Sequence, residues 1–199
     1  KSRLSLDLLL KLESFIKEHN KPLAVRSSSL LEDSQYQPLS GTYSTFMLPN
    51  NQENLRQRLL DLERAIKKVY ASTFKRDAKA LLNNTSHRVE EEKMAVIIME
   101  IAGQKYRSNR FYPTISGVLK NINYYPVSYM KREEGVAYLA LGFGRTIVDG
   151  EKSLRVSPKY PNILPQFYST KTLVENSQNQ FYALDLKENN IKKNKSDLT

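Results

Sequence analysis

The sequence predicts an α+β fold, with helices early in the chain and strands later. Three observations carry this expectation. Two stretches before residue 80 repeat apolar residues at helical spacing; "MAVIIMEIA", at 94–102, is the most apolar run; and three strand-like segments lie between residues 114 and 157. At 199 residues the chain can bury a real core, as one domain or as a domain of two lobes.

The elements follow in order. Leu4, Leu8, Leu12, Phe15 and Ile16 share one helical face, and Asn20 and Pro22 close that helix. Leu23–Val25 reads as a short buried strand delivering Arg26, and residues 27–41 as a polar, serine-rich loop. Thr42–Leu48 alternates as a strand, with Tyr43, Thr45 and Met47 on one face. Asn50 with Glu53 fits a capping box opening a second helix, whose stripe runs Leu55, Leu59, Leu62, Ile66, Val69, Phe74. "RDAKALL" continues as a shorter helix. β-branched content makes "MAVIIMEIA" a central strand. Residues 103–114 read as loop, "TISGVL", "GVAYLALG" and "LRVS" as strands, "PKYPNILPQF" as extended loop, and "NSQNQFYALDL" fits no single class.

Composition bounds the function. The chain is 26% charged and 40% hydrophobic, a globular balance, and no apolar run reaches the roughly 18 residues of a membrane span. It has no cysteine, which excludes disulfides and thiolate metal sites; this fits a reducing compartment, and a cytoplasmic location is expected. The start Lys1-Ser2-Arg3-Leu4 has no initiator Met, and the expectation is a piece of a longer protein. The net charge of +10 favours polyanions, although the cations are dispersed and some lie in the terminal "KENNIKKNKSDLT", which reads as a solvated tail.

"AVRSSSLLED" ends an apolar run on Arg26, then three serines, then Glu32 and Asp33. A guanidinium offers a planar fork matching two phosphate oxygens, and a strand end holds it rigidly. A structural ion pair with Glu32 or Asp33 explains the same residues equally well. Ser27–Ser29 could turn hydroxyls and amides to an anion, but such loops are commonly plain turns. Gly41 permits close backbone approach and Thr45 adds a hydroxyl; alone they read as a turn glycine and a strand threonine. "GFGR", at Gly142–Arg145, lacks the third glycine of a dinucleotide fingerprint and leads into no clear helix. His19 and His87 lack the partners that metal ligation or a triad requires. "RFYPTISGVLKNINYYPVSYMK" mixes tyrosines and cations as a base-stacking surface does, yet tyrosine-rich loops packing on a sheet are commoner.

Taken together these signals have a familiar order. "AVRSSSLLEDSQYQPLSGTYSTFML" resembles the segment of the phosphoenolpyruvate synthase and pyruvate phosphate dikinase family in which V-R-S-S, E-D and G-x-x-x-T follow at fixed intervals. "VYASTFKRDA", "MAVIIMEIA", "SGVL" and "LALGFGRTIVDG" are similar to the elements that follow there, so the likeness spans roughly residues 21–158. It implies a partial ATP-grasp nucleotide-binding domain with a helical insertion: residues 1–48 with 94–104 as first lobe, 49–93 helical, 112–199 as second lobe and tail. It also implies ATP and Mg2+ as ligands, and phosphoryl transfer to a histidine of a separate phosphohistidine domain. By this resemblance Arg26 contacts phosphates and stabilises charge during transfer, Gly41 and Thr45 touch the nucleotide, and the backbone of the hinge at Met99–Ala102, Ile101 included, meets the adenine edge.

The chain departs from the family at two positions. Met99 stands where a glutamine is usual, and Arg145 where a glutamate follows the glycines. A Gly-Gly-Lys segment before Arg26, a downstream acidic motif for magnesium and a Q-x-R-P motif are absent from this sequence, so the metal ligands are expected elsewhere in the parent protein and this piece alone is expected to be inactive. Two rivals remain. A non-catalytic scaffold or regulatory descendant is favoured by Met99 and Arg145. A basic nucleic-acid-binding module, the weaker rival, is motivated by the charge and predicts salt-dependent oligonucleotide binding.

Overall fold

The computed structural model describes residues 3–29, 43–83, 93–127 and 129–187. The predicted loop beyond Ser29, with Glu32, Asp33 and Gly41, lies outside the described residues, as do His87 and most of the basic tail. The class is α+β: among the described residues nine strands and five α-helices form, with the strands in three three-stranded sheets. The chain divides into two compact units, one running to Ile101 and rejoined from Asp185, the other spanning Ala102–Leu184.

In the first unit, helix α1 (Leu6–Glu18) starts at Ser5, whose hydroxyl accepts from the Leu8 amide, and buries Leu12 and Ile16. Strand β1 (Leu23–Ser29) lies between β2 (Phe46–Leu48) and β3 (Met94–Glu100), both antiparallel to it. Helix α2 (Leu55–Ser72) packs on this sheet, and Leu62, Ala65, Ile66 and Val69 close a core with Ile16, Leu23 and Val25. Helix α3 (Arg76–Asn83) follows.

Several expectations are corrected here. The strand of Arg26 runs on through Ser29, because Ser27 and Ser29 continue the inward side of its alternation and are buried there. Residues 43–45 are not strand, and β2 begins only at Phe46. Helix α2 is capped by Asn54, whose side chain accepts from the amides of Arg56 (2.9 Å) and Gln57 (3.3 Å). Asn50 instead sits buried at φ 52 and uses its side chain to bind His19 and Lys21, a left-handed conformation that asparagine tolerates. Phe74 lies past the helix end and is 66% exposed, so it leaves the stripe. The apolar run at 94–100 is an edge strand of its three-stranded sheet, and its burial alternates.

In the second unit, β4 (Gln104–Lys105) and β5 (Arg110–Tyr112) make a hairpin where a loop was expected, in a sheet completed by β9 (Leu184–Asp185). The strands β6 (Ser116–Lys120), β7 (Val136–Ala140) and β8 (Leu154–Val156) form an antiparallel sheet at the three predicted strand segments. The glycine loop leads into a four-residue helix α4 (Arg145–Val148), and α5 (Thr170–Asn176), which the sequence did not suggest, is fixed by a capping pair of Ser169 and Thr172.

Candidate functional site

The outward face of the first sheet follows from strand alternation and register. Leu23, Val25, Ser27 and Ser29 turn to the helices, which leaves Ala24, Arg26 and Ser28 on the opposite side. Directly paired residues of antiparallel strands share a face. Arg26 pairs with Ile97, and Ala24 with Met99 on one side and Met47 on the other. Ile97 is 39% and Met99 47% exposed, and Arg26 is exposed. Thr45, also exposed, precedes β2; one step beyond the last ladder pair, Val25 with Phe46, it falls opposite Arg26. The face therefore carries a permanent cation and a hydroxyl at one end, with two methionines around a small alanine one pleat away.

The Arg26 guanidinium also touches its own strand, since Nε donates to the Ser27 carbonyl at 3.4 Å. Such a contact orients the side chain weakly. The predicted ion pair with Glu32 or Asp33 falls outside the described residues, as does Gly41.

At the far end of β3 the backbone is partly committed. The Ile101 amide donates to the Pro22 carbonyl at 2.8 Å. Hydrogen-bonded pairs alternate along an antiparallel ladder, so the backbone groups of Met99 turn inward to β1, while those of Glu100 turn to the side of β3 that pairs with no strand among the described residues. The Glu100 carboxylate is held by His19 Nδ1 at 2.8 Å and Lys21 Nζ at 3.4 Å. The His19 hydrogen bond, reinforced by Lys21, holds this carboxyl below its ordinary value. His19 also stacks on Phe15 with ring centroids 4.3 Å apart, so it belongs to a structural cluster at the end of α1.

Two polar networks escaped the sequence because their members are distant along the chain. Arg58 donates through Nε to Asn50 Oδ1 (2.9 Å) and through Nη2 to the carbonyls of Ile16 and His19 (2.7 Å each). It thus satisfies carbonyls at the end of α1, and burial pushes its pKa below the ordinary arginine value. Lys75 Nζ lies 2.9 Å from Ser44 Oγ, and the Ser44 amide donates to Ser72 Oγ at 3.1 Å. This second network adjoins Thr45. No local motif signals it.

In the second unit, Arg145 is tied down. Its Nε binds Asp149 Oδ2 at 2.8 Å, its guanidinium lies 4.8 Å from the centroid of the Tyr182 ring, and the Asp149 hydrogen bond raises its pKa. Cations from outside the tyrosine-rich segment engage it: Arg155 holds Asn123 Oδ1 (2.8 Å) and the Tyr125 carbonyl, and Arg132 lies over Tyr124. Among the described residues no three His, Cys, Asp or Glu side chains converge as a metal site would require, and no helix is long and apolar enough to cross a membrane.

No curated protein matches the chain. A family model described as "Pyruvate phosphate dikinase, AMP/ATP-binding domain" matches residues 2–197. The chain therefore belongs to the pyruvate phosphate dikinase AMP/ATP-binding domain family, and it is the ATP-binding portion of a protein of the dikinase and phosphoenolpyruvate synthase kind.

Proposed function

We propose that the outward face of the first sheet is one wall of an ATP site of the ATP-grasp type. The parent protein uses Mg-ATP to phosphorylate a histidine on another domain. The carrying observation is the register that sets Arg26 between Ile97 and, one step past the ladder, Thr45, with Ala24, Met47 and Met99 beside them. Two residues along a strand span about 7 Å, a separation suited to a phosphate tail at Arg26 and a base over the methionines.

In this reading Arg26 grips phosphate oxygens and offsets charge that develops during transfer, a role in which a placed cation lowers the barrier by a few kcal/mol. Thr45 donates its hydroxyl to the same tail, and Gly41, outside the described residues, permits close backbone approach to it. Met99 contributes apolar contact in place of the family's polar side chain. The Ile101 amide is spent on Pro22, so the hinge meets the base through edge-facing backbone such as that of Glu100. Magnesium has no convergent ligand set among the described residues, so no step is assigned to this chain through the metal.

Calorimetric titration of the intact protein with ATP in the presence of magnesium tests the reading. Arg26→Ala is expected to weaken ATP binding about tenfold or more. Unchanged affinity and unchanged phosphoryl transfer would remove Arg26 from the site.

A second reading, a regulatory descendant that binds nucleotide without transfer, is supported by Arg145. Its guanidinium, at a position where the family usually has glutamate, is committed to Asp149 and Tyr182. ATP binding without any phosphohistidine in the intact protein would favour that reading.

A further inference from the structure

We propose that Lys75 is a positioning residue of this nucleotide site: through Ser44 it fixes Thr45 opposite Arg26 and so sets the grip on the polyphosphate tail. The inference rests on the nucleotide-site reading above. Thr45 lies one residue before β2 and has no ladder partner of its own, so its placement depends on the residue before it. Ser44 is 2% exposed and is held from both sides. Its amide donates to Ser72 Oγ at 3.1 Å, and its own Oγ accepts from Lys75 Nζ at 2.9 Å. The Ser72 hydroxyl proton is spent on the Val69 carbonyl at 2.6 Å. The Ser72 hydroxyl therefore has a fixed direction, and the chain of contacts ends on Lys75.

The charge at this end points the same way. Lys75 has no carboxylate within ion-pair distance among the described residues, and its only side-chain partner there is a neutral hydroxyl. An ammonium has three donors, so two remain for solvent or for an anion. A lysine that served only to cap the end of α2 would interact with helix carbonyls, whereas this amine reaches to a segment 31 residues away, next to Thr45.

The test compares Mg-ATP, ADP and AMP binding by the intact protein and its Lys75→Met, Lys75→Arg, Ser44→Ala and Arg26→Ala variants. Lys75→Met should cost about tenfold in ATP affinity, less in ADP and under about twofold in AMP. Lys75→Arg should restore the preference for the longer tail, and Ser44→Ala, which keeps the cation but cuts its tie, should lose it. Equal losses for all three nucleotides, or no loss, overturn the inference. Should Lys75→Met not fold, Ser44→Ala and Lys75→Arg decide it by the same preference. If Arg26→Ala weakens ATP while the Lys75 and Ser44 variants do not, only the role of Lys75 fails. If Arg26→Ala also has no effect, the nucleotide site itself is misassigned.

Discussion

Arg26 and Ile97 face each other across the β1–β3 ladder, on the side of the sheet turned away from the helices. A carboxylate at position 97 would therefore sit beside the guanidinium and compete with any anionic ligand. Ile97→Asp is expected to lower ATP affinity at least as much as Arg26→Ala, by about tenfold or more. Ile97 is 39% exposed, so thermal stability should fall only modestly. Full ATP affinity in a folded Ile97→Asp protein would mean that this face does not carry the phosphate tail.

Arg58 joins two helices and a turn through the carbonyls of Ile16 and His19 and the side chain of Asn50. Replacing it with Met keeps part of the stem but leaves the Ile16 carbonyl without this donor. A loss of roughly 2–3 kcal/mol in chemical denaturation is expected. A loss below about 0.5 kcal/mol would show that water replaces the guanidinium at little cost.

The two glycines of "GFGR" should respond differently. Gly142 has φ 80, and a Cβ there would lie 2.7 Å from the Tyr182 carbonyl oxygen. Gly144 has φ −62, and its Cβ would meet only Ser116 Cβ at 3.7 Å. Gly142→Ala should destabilise by about 1–3 kcal/mol, and Gly144→Ala by no more than about 0.5 kcal/mol. Similar losses at both positions would contradict this packing account of the loop.

Glu100 supplies a pH dependence whose sign is fixed by its partners. The His19 hydrogen bond and Lys21 depress its pKa below the ordinary 4.5. A depressed carboxyl stabilises the fold above the unfolded-state value and loses that contribution as pH falls through the lower folded value. Denaturation midpoints of the wild type should drop more steeply than those of Glu100→Gln as the pH is lowered below about 4.5. Parallel profiles would show that this carboxylate contributes nothing to stability.

The local periods were legible in the sequence, and so was the family. The stripe of α2 and the strands at 116–120, 136–140 and 154–156 formed where the pattern predicted them. The boundaries were less legible. Asn50 and Asn54 are equally plausible caps by residue type, and the choice fell to Asn54 because Asn50 is needed to bind His19 and Lys21 across 29 to 31 residues. Ser27 and Ser29 read as loop because they are polar, yet their burial on the helix side continues β1. Of the residues in the proposed site, Arg26, Gly41, Thr45 and Met99 had been singled out in the sequence, and Lys75 had not; Ile101, also singled out there, spends its amide on Pro22.

By itself the sequence determined the α+β class, the membership in the family and the order of α1 to β3 and of β6 to β8, since each depends on residues near one another in the chain. The tertiary structure alone decided that Arg26 pairs with Ile97, that β3 is an edge strand among the described residues, and that Lys75 reaches Ser44. Register between strands some 70 residues apart is selected by which faces close the core, and a one-residue slip would turn every one of these side chains to the other side.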